Sequence, residues 1–241
     1  SRLRDSRSGR KLPYQLSKPE ADFWNIVYRR GLGEFFYRNQ LNPQFALFKA
    51  NSRNGAESHA ELRRNFRFIP RKIPHHSAAL VGMGGGKDSL VAVELLKQQE
   101  FDITSFVVET NKSPLINAVL KKVGAKELRI QRILDPKVYE RHPYNGHVPI
   151  SAIYAFLGLL PSIFYGYRYI VVAHEYSSNF GNITYKGEAV NHQWSKSFEF
   201  EKLFGDYVKN FISGDILYFS LLRPFYEIRI AKLFSKIGKK Y

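Results

Sequence analysis

The fold is decided by the stretch Leu80-Val81-Gly82-Met83-Gly84-Gly85-Gly86-Lys87-Asp88-Ser89-Leu90. An apolar run leads into three adjacent glycines, and Lys-Asp-Ser then opens a segment with helical periodicity. Glycines let a backbone approach an anion closely and direct several N–H groups at it, and the N-terminus of the next helix adds a positive dipole. The stretch therefore predicts a phosphate-binding turn between a buried strand and a helix. The alternative is a strand-to-helix turn in which glycine serves packing alone.

Strand and helix patterns alternate on both sides of this turn. Strands are predicted at residues 78–83, 103–108, 128–133 and 169–173, and helices at 19–29, 34–39, 88–99, 114–123, 148–165, 198–211 and 225–237. Ser113 before Pro114 is typical of a helix N-cap. Strands that alternate with helices imply a parallel sheet covered on both faces. The predicted fold class is therefore α/β, with a doubly wound parallel sheet.

A boundary is predicted near residue 75. Residues 51–55 are turn-rich, residues 66–69 alternate like a strand, and Pro70 and Pro74 follow. We therefore predict a basic, partly helical N-terminal region over 1–75 and a nucleotide-binding domain over 76–241. Phe35, Phe36 and Tyr37 in the first region are expected to serve packing.

The composition excludes some chemistry and favours anionic partners. The 241 residues include no cysteine, which excludes disulfides, a cysteine-ligated metal and catalysis by a thiol of this chain. There are 37 Lys and Arg against 21 Asp and Glu, a formal charge of +16, of which residues 1–76 carry +10. Such an excess suggests nucleic acid, acidic lipid or a phosphorylated substrate, with a well-solvated surface as the alternative.

One apolar stretch raises the question of a membrane span. Residues 142–167 contain no Asp, Glu, Lys or Arg, but Pro149 and Pro161 interrupt them. The continuously apolar part is shorter than a span requires, so we expect a buried helix. The basic start, Ser1-Arg2-Leu3-Arg4, is followed by no apolar segment, so no signal peptide is predicted. We expect a cytoplasmic protein.

Gly84-Gly85-Gly86-Lys87-Asp88-Ser89 resembles the PP-loop of the ATP pyrophosphatases, usually Ser-Gly-Gly-x-Asp-Ser. That superfamily has an adenine-nucleotide alpha-hydrolase-like domain, splits ATP between the α and β phosphates and passes AMP to an oxygen of its substrate. Gly84 stands where Ser is usual, so one hydroxyl contact to phosphate is lost.

The resemblance implies that ATP and Mg²⁺ are the cofactors. Asp88 would help to hold the metal and take part in catalysis, since a hard cation neutralises charge on the leaving pyrophosphate. Val108 and Glu109, at the end of the second strand, would lie beside the adenine or ribose. The residues implied to hold the phosphates are Gly84, Gly85, Gly86, Lys87 and Ser89.

Four further strings narrow the resemblance. They are Asn145-Gly146-His147-Val148-Pro149, His174-Glu175-Tyr176-Ser177-Ser178-Asn179, the segment from Asn191 to Glu201, and Leu222-Arg223-Pro224-Phe225-Tyr226-Glu227-Ile228. With the PP-loop they are similar to the ATP-dependent epimerases that act on UDP-N-acetylmuramoyl-L-alanyl-L-glutamate. The resemblance covers roughly residues 66–240 and implies a UDP-linked muramoyl dipeptide as substrate. The cysteine-containing tail of that family is not in this chain, so we expect a fragment, a shorter relative or a sibling with another substrate.

Candidate catalytic residues follow from their chemistry and position. His192 can act as an acid or base near neutral pH, and Lys196 could bind a carboxylate or stabilise an adenylate. Glu199 and Glu201 lie two apart and do not share a helix face, so at most one faces a site; Glu199 is the candidate. Glu175 follows a strand at the carboxyl end of the sheet, where ligands of such sheets bind, and is either a metal or substrate contact or a loop acid.

The other candidates have a structural alternative beside the functional one. His147 contacts either a phosphate of the nucleotide or a turn. Ser195 is either a substrate contact or a helix N-cap, and Arg223 binds either an acidic group of the substrate or a surface partner. The full set of expected substrate contacts is Asn179, Asn191, Gln193, Ser195 and Arg223.

The leading hypothesis is an ATP-dependent epimerase that inverts the terminal glutamate for peptidoglycan synthesis. Adenylation of the α-carboxylate would acidify the adjacent Cα–H, and inversion then needs two proton-transfer groups on opposite faces, for which His192, Lys196 and Glu199 are candidates in no fixed order. The alternative is a tRNA-modifying PP-loop ligase, which the basic N-terminal part favours. A third hypothesis is a nucleotide- or nucleic-acid-binding module without catalysis, against which the intact Lys87-Asp88-Ser89 argues.

Overall fold

A computed structural model describes residues 16–43, 48, 78–140, 144–181 and 183–241. Its strands, in chain order, are β1 (Ala78–Gly82), β2 (Asp102–Glu109), β3 (Lys126–Gln131), β4 (Tyr169–Val172), β5 (Ile183–Tyr185), β6 (Glu188–Val190) and β7 (Leu217–Ser220). Five of them form a parallel sheet in the order β3-β2-β1-β4-β7, and β5 and β6 form a separate antiparallel hairpin. The predicted doubly wound parallel sheet is confirmed.

The helices connect these strands on both sides of the sheet. They are α1 (Lys18–Gly31), α2 (Gly33–Arg38), α3 (Lys87–Lys97), α4 (Pro114–Val123), α5 (Ile150–Tyr165), α6 (Phe198–Phe211) and α7 (Glu227–Ile237). Among the residues described, no helix is both long and apolar enough to cross a membrane.

The sheet separates two hydrophobic layers. Helices α3 and α4 pack on one face with α7 beside α3, and α1, α5 and α6 pack on the other. Successive strand residues point to opposite faces, so Ile170 joins the α5–α6 layer while Val171 joins the α3–α4 layer. Because both faces are covered, the central strands β1, β2 and β4 are mostly apolar; the exceptions inside β2 are the buried Thr104 and Ser105.

The first helix belongs to the same core. Ser17 forms a capping box with Glu20, and the buried face of α1 places Phe23 and Val27 against α5 and α6. The Phe23 ring stacks on Tyr207 with centroids 4.0 Å apart. The boundary near residue 75, the turn at 51–55 and the strand at 66–69 lie outside the described residues.

Most predicted elements are confirmed, several to within two residues at each end. Ser113 accepts a hydrogen bond from the Ile116 N–H, as an N-cap should. The third strand ends at Gln131, so the expectation that it reaches Ile133 is wrong; Ile133 is exposed. The hairpin β5–β6 and the strand β7 are absent from the sequence-based prediction.

The helix predicted over 148–165 is confirmed as α5, which runs through Pro161. It is buried on one side: Ala152, Ala155 and Leu159 face the core, whereas Leu160 and Phe164 are exposed.

The topology fixes where a ligand can approach. β1 lies between β2 and β4, so the connections from β1 and β4 leave in opposite directions along the sheet. The register pairs Val81 with Val171, which places the glycine turn (residues 82–86) directly beside His174 and Glu175. Open α/β sheets bind ligands at such a switch point, outside the carboxyl ends of the strands.

Candidate active site

The glycine turn has the geometry of an anion-binding turn. Gly85 has a φ of +78°, which L side chains rarely adopt, and Gly86 is the extended N-cap of α3. A Cβ at Gly84 or Gly86 would meet no atom within 4 Å. The Ser89 hydroxyl donates to the Gly86 carbonyl over 2.8 Å. The turn is therefore held from within and leaves space on the side where a phosphate could approach the backbone.

Charged side chains stand at the start of α3. The Lys87 Nζ lies 2.7 Å from Asp88 Oδ1 and 2.7 Å from Glu227 Oε1. Burial alone would lower the pKa of Lys87, but hydrogen bonds and charge attraction from these two carboxylates raise it. Lys87 therefore carries its positive charge beside the turn, bridging α3 and the first turn of α7.

These residues fit ATP and Mg²⁺. The turn offers backbone N–H groups and a lysine for phosphate oxygens, and Asp88 and Glu227 offer the carboxylate oxygens that Mg²⁺ prefers. Within the described ranges, no three or more His, Cys, Asp or Glu side chains form a ready-made metal site. A metal held by Asp88 and Glu227 would take its other ligands from the phosphate oxygens of the nucleotide and from water, as Mg²⁺ in nucleotide sites usually does.

Val108 and Glu109 lie at the end of β2, next to the glycine turn. Glu109 Oε1 is 3.3 Å from Arg129 Nη1. Its Oε2 is buried without a hydrogen-bond partner among the described residues. An unpaired buried carboxylate oxygen at this edge is available to a donor on a ligand.

The segment after β4 is organised by Arg223. Its guanidinium donates to Glu201 Oε2 from Nε and Nη2, over 3.2 and 2.9 Å, and from Nη1 to Ser178 Oγ over 2.9 Å. It also donates to the carbonyls of Glu175 and Lys196, over 3.1 and 2.6 Å. We call these five residues the Arg223 cluster.

The Arg223 cluster ties together three separate segments of the chain, residues 175–178, 196–201 and 223. The Arg223 and Glu201 side chains are only 12% and 11% exposed, so the pair is well shielded from water. An arginine has five N–H donors, and all are used within the chain. The acidic partner of Arg223 is thus Glu201, and its guanidinium positions the surrounding loops. Its expected contact with the substrate stays a prediction.

Several expected substrate contacts also hold the loops. Asn179 Oδ1 accepts from the Phe198 N–H over 2.7 Å at the start of α6, and Asn191 accepts from the Gln193 N–H over 2.8 Å. The N-cap of α6 is Ser197, which accepts from the Phe200 N–H, so the alternative expectation of Ser195 as the cap is wrong. Ser195 is buried and Gln193 half-buried in the same turn.

The two glutamates of α6 point to different places. Glu199 accepts from the Trp194 indole N–H over 2.9 Å, lies 3.8 Å from Arg30 and is half-exposed. Glu201 is the residue that enters the Arg223 cluster. As the spacing predicts, the two glutamates do not share a face: Glu201 pairs with Arg223 and Glu199 with Trp194. The catalytic role of Glu199 stays a prediction.

Glu175 starts the turn that follows β4. Its carboxylate accepts from the N–H and hydroxyl of Ser177, and thereby caps the short 3-10 helix Tyr176–Asn179. The Tyr176 ring packs 4.7 Å from Tyr226, the N-cap of α7. This contact joins the turn to the helix whose Glu227 pairs with Lys87, so the glycine turn and the Arg223 cluster belong to one continuous surface.

Basic side chains line the far side of the Arg223 cluster. Burial, together with the charges of Arg223 and Lys196, lowers the pKa of His174 to about 3. Burial also lowers the pKa of His147, with His192 and Lys196 contributing and Glu34 opposing. The positive charge of Lys196 therefore helps to lower the pKa of both His174 and His147.

Three residues of this surface escape the sequence-based list of candidates. His174 and Glu227 stand inside the quoted strings, and Glu201 is named there only as the alternative to Glu199. The end of β4 is a signal that could single out His174, because residues at that edge face the ligand site. Nothing in the local sequence signals that Glu227 meets Lys87.

Several known proteins are similar in sequence to this chain. A family model described as the MurL N-terminal domain matches residues 8–221. The chain is 37% identical over 232 residues to a UDP-N-acetyl-alpha-D-muramoyl-L-alanyl-L-glutamate epimerase from Xanthomonas oryzae pv. oryzae, covering 94% of this chain and 48% of that protein. It is 32% identical over 231 residues to one from a Micromonospora species, covering 95% and 49%. The chain thus spans about half the length of the curated relatives it matches.

A solved structure is also similar at a greater distance. The U34-tRNA thiolase NcsA from Methanococcus maripaludis matches with a TM-score of 0.45 and 15% identity, covering 77% of this chain and 63% of that chain. A likeness at this level carries no functional argument.

Proposed function

Since the chain belongs to the MurL family, whose N-terminal domain model matches residues 8–221, we propose that it acts in ATP-dependent epimerisation. In this proposal the substrate is UDP-N-acetylmuramoyl-L-alanyl-L-glutamate, whose terminal glutamate is inverted to the D form for peptidoglycan synthesis. One observation carries the proposal: the glycine turn after β1 lies beside the polar segment after β4, at the switch point of the sheet. A nucleotide site and a site for the reacting carboxylate can therefore share one edge.

In this proposal the nucleotide binds at the glycine turn. The backbone at Gly84, Gly85 and Gly86, with Lys87 and Ser89, would hold the β and γ phosphates, and Asp88 with Glu227 would hold Mg²⁺. ATP bound there supplies the adenylyl group that activates the glutamate α-carboxylate, and Mg²⁺ neutralises phosphate charge.

In this proposal two basic side chains near the Arg223 cluster, His192 and Lys196, carry out the proton transfers. Inversion requires one group that removes the Cα proton and another that returns a proton from the opposite face. His192 is exposed and can accept a proton, while the Lys196 ammonium can hold the carboxylate or donate one. Glu199 is engaged with Trp194, so we assign the two transfers to His192 and Lys196. His174, which stays neutral beside Lys196, keeps the local positive charge from growing.

The test measures AMP release by this chain with UDP-N-acetylmuramoyl-L-alanyl-L-glutamate and, separately, with bulk tRNA. Release that requires the muramoyl dipeptide supports the proposal. Release that requires tRNA supports a tRNA-modifying ligase, which the net charge of +16 favours as the second candidate. Binding of ATP without turnover on either substrate would leave a nucleotide-binding module and contradict both.

Variants separate the two chemical roles. We expect Lys196→Ala to slow AMP release and His192→Ala to slow incorporation of solvent deuterium at Cα, each by about a hundredfold, with ATP binding retained. Lys202→Ala removes an exposed lysine six residues further along the chain, on α6, and is the matched control. Should His192→Ala exchange the Cα proton at the parent rate, His192 is not the base.

A further inference from the structure

A cavity of about 300 Å³ lies between α2, the β5–β6 hairpin and the loop that precedes α5. Among the described residues, it draws its walls from the N-terminal helices as well as from the segment after β4. Its volume is at the lower end of the range for small-ligand sites, enough for a short peptide and too small for a complete nucleotide sugar. Its polar lining consists of Glu34, Arg38, His147 and His192.

The polar wall of the cavity offers an anion the free N–H donors of Arg38. The Glu34 carboxylate already accepts from the His147 backbone N–H over 2.5 Å and pairs with Arg38 over 2.5 Å. Burial alone would raise the pKa of Glu34, but these two partners lower it, so Glu34 is ionised and satisfied. A carboxylate engages two N–H groups of a guanidinium at most, and the Arg38 side chain is 67% exposed. Arg38 therefore keeps donors for another acceptor.

Two imidazoles face each other at the same wall. The rings of His147 and His192 are 6.2 Å apart between centroids and nearly perpendicular. The charge of Lys196 helps to lower the pKa of His147, and the Lys196 backbone carbonyl accepts from Arg223. The segment that carries His192 therefore borders the cavity and also enters the Arg223 cluster.

The remaining wall is apolar. Tyr37, Ile183 and Val190 line it, and the Tyr37 ring packs edge-on against Tyr185 at 5.6 Å. Such a wall suits a small aliphatic group and offers no partner to a phosphate. An acidic head next to a short apolar side chain is the ligand that matches both walls.

We propose that this cavity binds the acidic dipeptide end of the substrate, with a glutamate carboxylate on Arg38 and the alanyl methyl group against Ile183 and Val190. This inference rests on the proposed function for the identity of the peptide. It assigns Arg38 and Tyr37, from a helix before the glycine-turn domain, to substrate specificity. The α2 helix is then part of the substrate site as well as part of the packing.

The experiment uses the full 241-residue chain and two probes, N-acetyl-L-alanyl-L-glutamate and the complete UDP-linked dipeptide. The imidazole NMR signals of His147 and His192 are assigned with His147→Gln and His192→Gln. We expect both probes to shift both signals, and N-acetyl-L-alanyl-L-alanine amide, which has no carboxylate, to leave them in place. We expect Arg38→Gln to weaken binding of the dipeptide about tenfold while ATP binding is unchanged.

The matched control is Lys18→Gln, because Lys18 and Asp22 form an exposed i,i+4 ion pair on α1 as Arg38 and Glu34 do on α2. If neither probe moves either histidine, or if Arg38→Gln binds the dipeptide as tightly as Lys18→Gln, the cavity assignment is overturned even where epimerisation occurs. If the dipeptide shifts both histidines but no glutamate is inverted and no AMP is released, the cavity assignment stands and the proposed reaction falls.

Discussion

The glycine turn and the Arg223 cluster lie at the same edge of the sheet but are built in opposite ways. The turn is continuous in sequence, partly exposed and open beside Gly84 and Gly86. The cluster is assembled from three segments, and its polar groups satisfy one another away from water. An open charged turn is suited to receive a ligand, whereas a closed cluster is suited to hold the surrounding loops. Substitutions should therefore affect ligand binding at the turn and stability at the cluster.

The largest expected effect is the loss of Arg223. Arg223→Met leaves Glu201 buried without its partner, so the free energy of unfolding should fall by about 3–5 kcal/mol in urea titrations. Arg29→Met, which breaks a more exposed ion pair with Glu188, should cost less than about 1 kcal/mol. The double variant Arg223→Met with Glu201→Leu should recover part of the loss. Equal losses for Arg223→Met and Arg29→Met would contradict the positioning role.

A smaller effect is expected from acid, through His174. The folded state holds its pKa at about 3, so below about pH 6.5 the unfolded chain binds a proton that the folded chain does not. Stability is therefore lost as the pH falls from about 6.5 toward 3, by at most about 2 kcal/mol at about pH 5. His174→Gln should flatten this pH dependence in urea titrations. An NMR titration that finds His174 protonated above about pH 6 would refute the prediction.

Two alanine substitutions in the glycine turn should distinguish backbone strain, which lowers stability, from loss of ligand binding. Gly85→Ala places a Cβ at positive φ and 3.1 Å from Ile116 Cγ1, and should lower the free energy of unfolding by about 1–2 kcal/mol. Gly84→Ala meets no neighbour and should change it by less than about 0.5 kcal/mol. Both should weaken ATP binding, since the new methyl group occupies the space proposed for phosphate. Unimpaired ATP binding by Gly84→Ala would show that the nucleotide avoids that side of the turn.

The smallest effect on stability is expected at Asp88. Asp88→Asn keeps the size of the side chain but removes a charge proposed for Mg²⁺, so ATP turnover should fall while urea unfolding changes by less than about 0.5 kcal/mol. AMP release is measured at limiting Mg²⁺, with Asp206→Asn on α6 as a control outside the turn. Unchanged AMP release by Asp88→Asn would remove Asp88 from the metal site.

Features encoded by neighbouring residues are easier to predict from the sequence than features assembled from distant segments, as the turn and the Arg223 cluster also show. Helix α6 is predicted with its observed bounds, because its apolar spacing is encoded within the segment, although its cap is Ser197 and not the expected Ser195. The hairpin β5–β6 escapes prediction although Lys186 and Gly187, both at positive φ, mark a tight turn between two short β-prone runs. The strand β7 escapes because four residues carry too little periodicity to be separated from a loop.

The sequence by itself determined the alternation of strands and helices, the glycine turn and the region in which chemistry is concentrated. These depend on residues that are neighbours along the chain, whose backbone preferences act wherever the chain is placed. The tertiary structure decided that Arg223 meets Glu201, that Glu227 meets Lys87, and that Arg38 shares a cavity with His192. Such pairs are separated by between 22 and 154 positions, as the sequence numbering shows. Only the packing of helices onto both faces of the sheet brings their side chains within reach of one another.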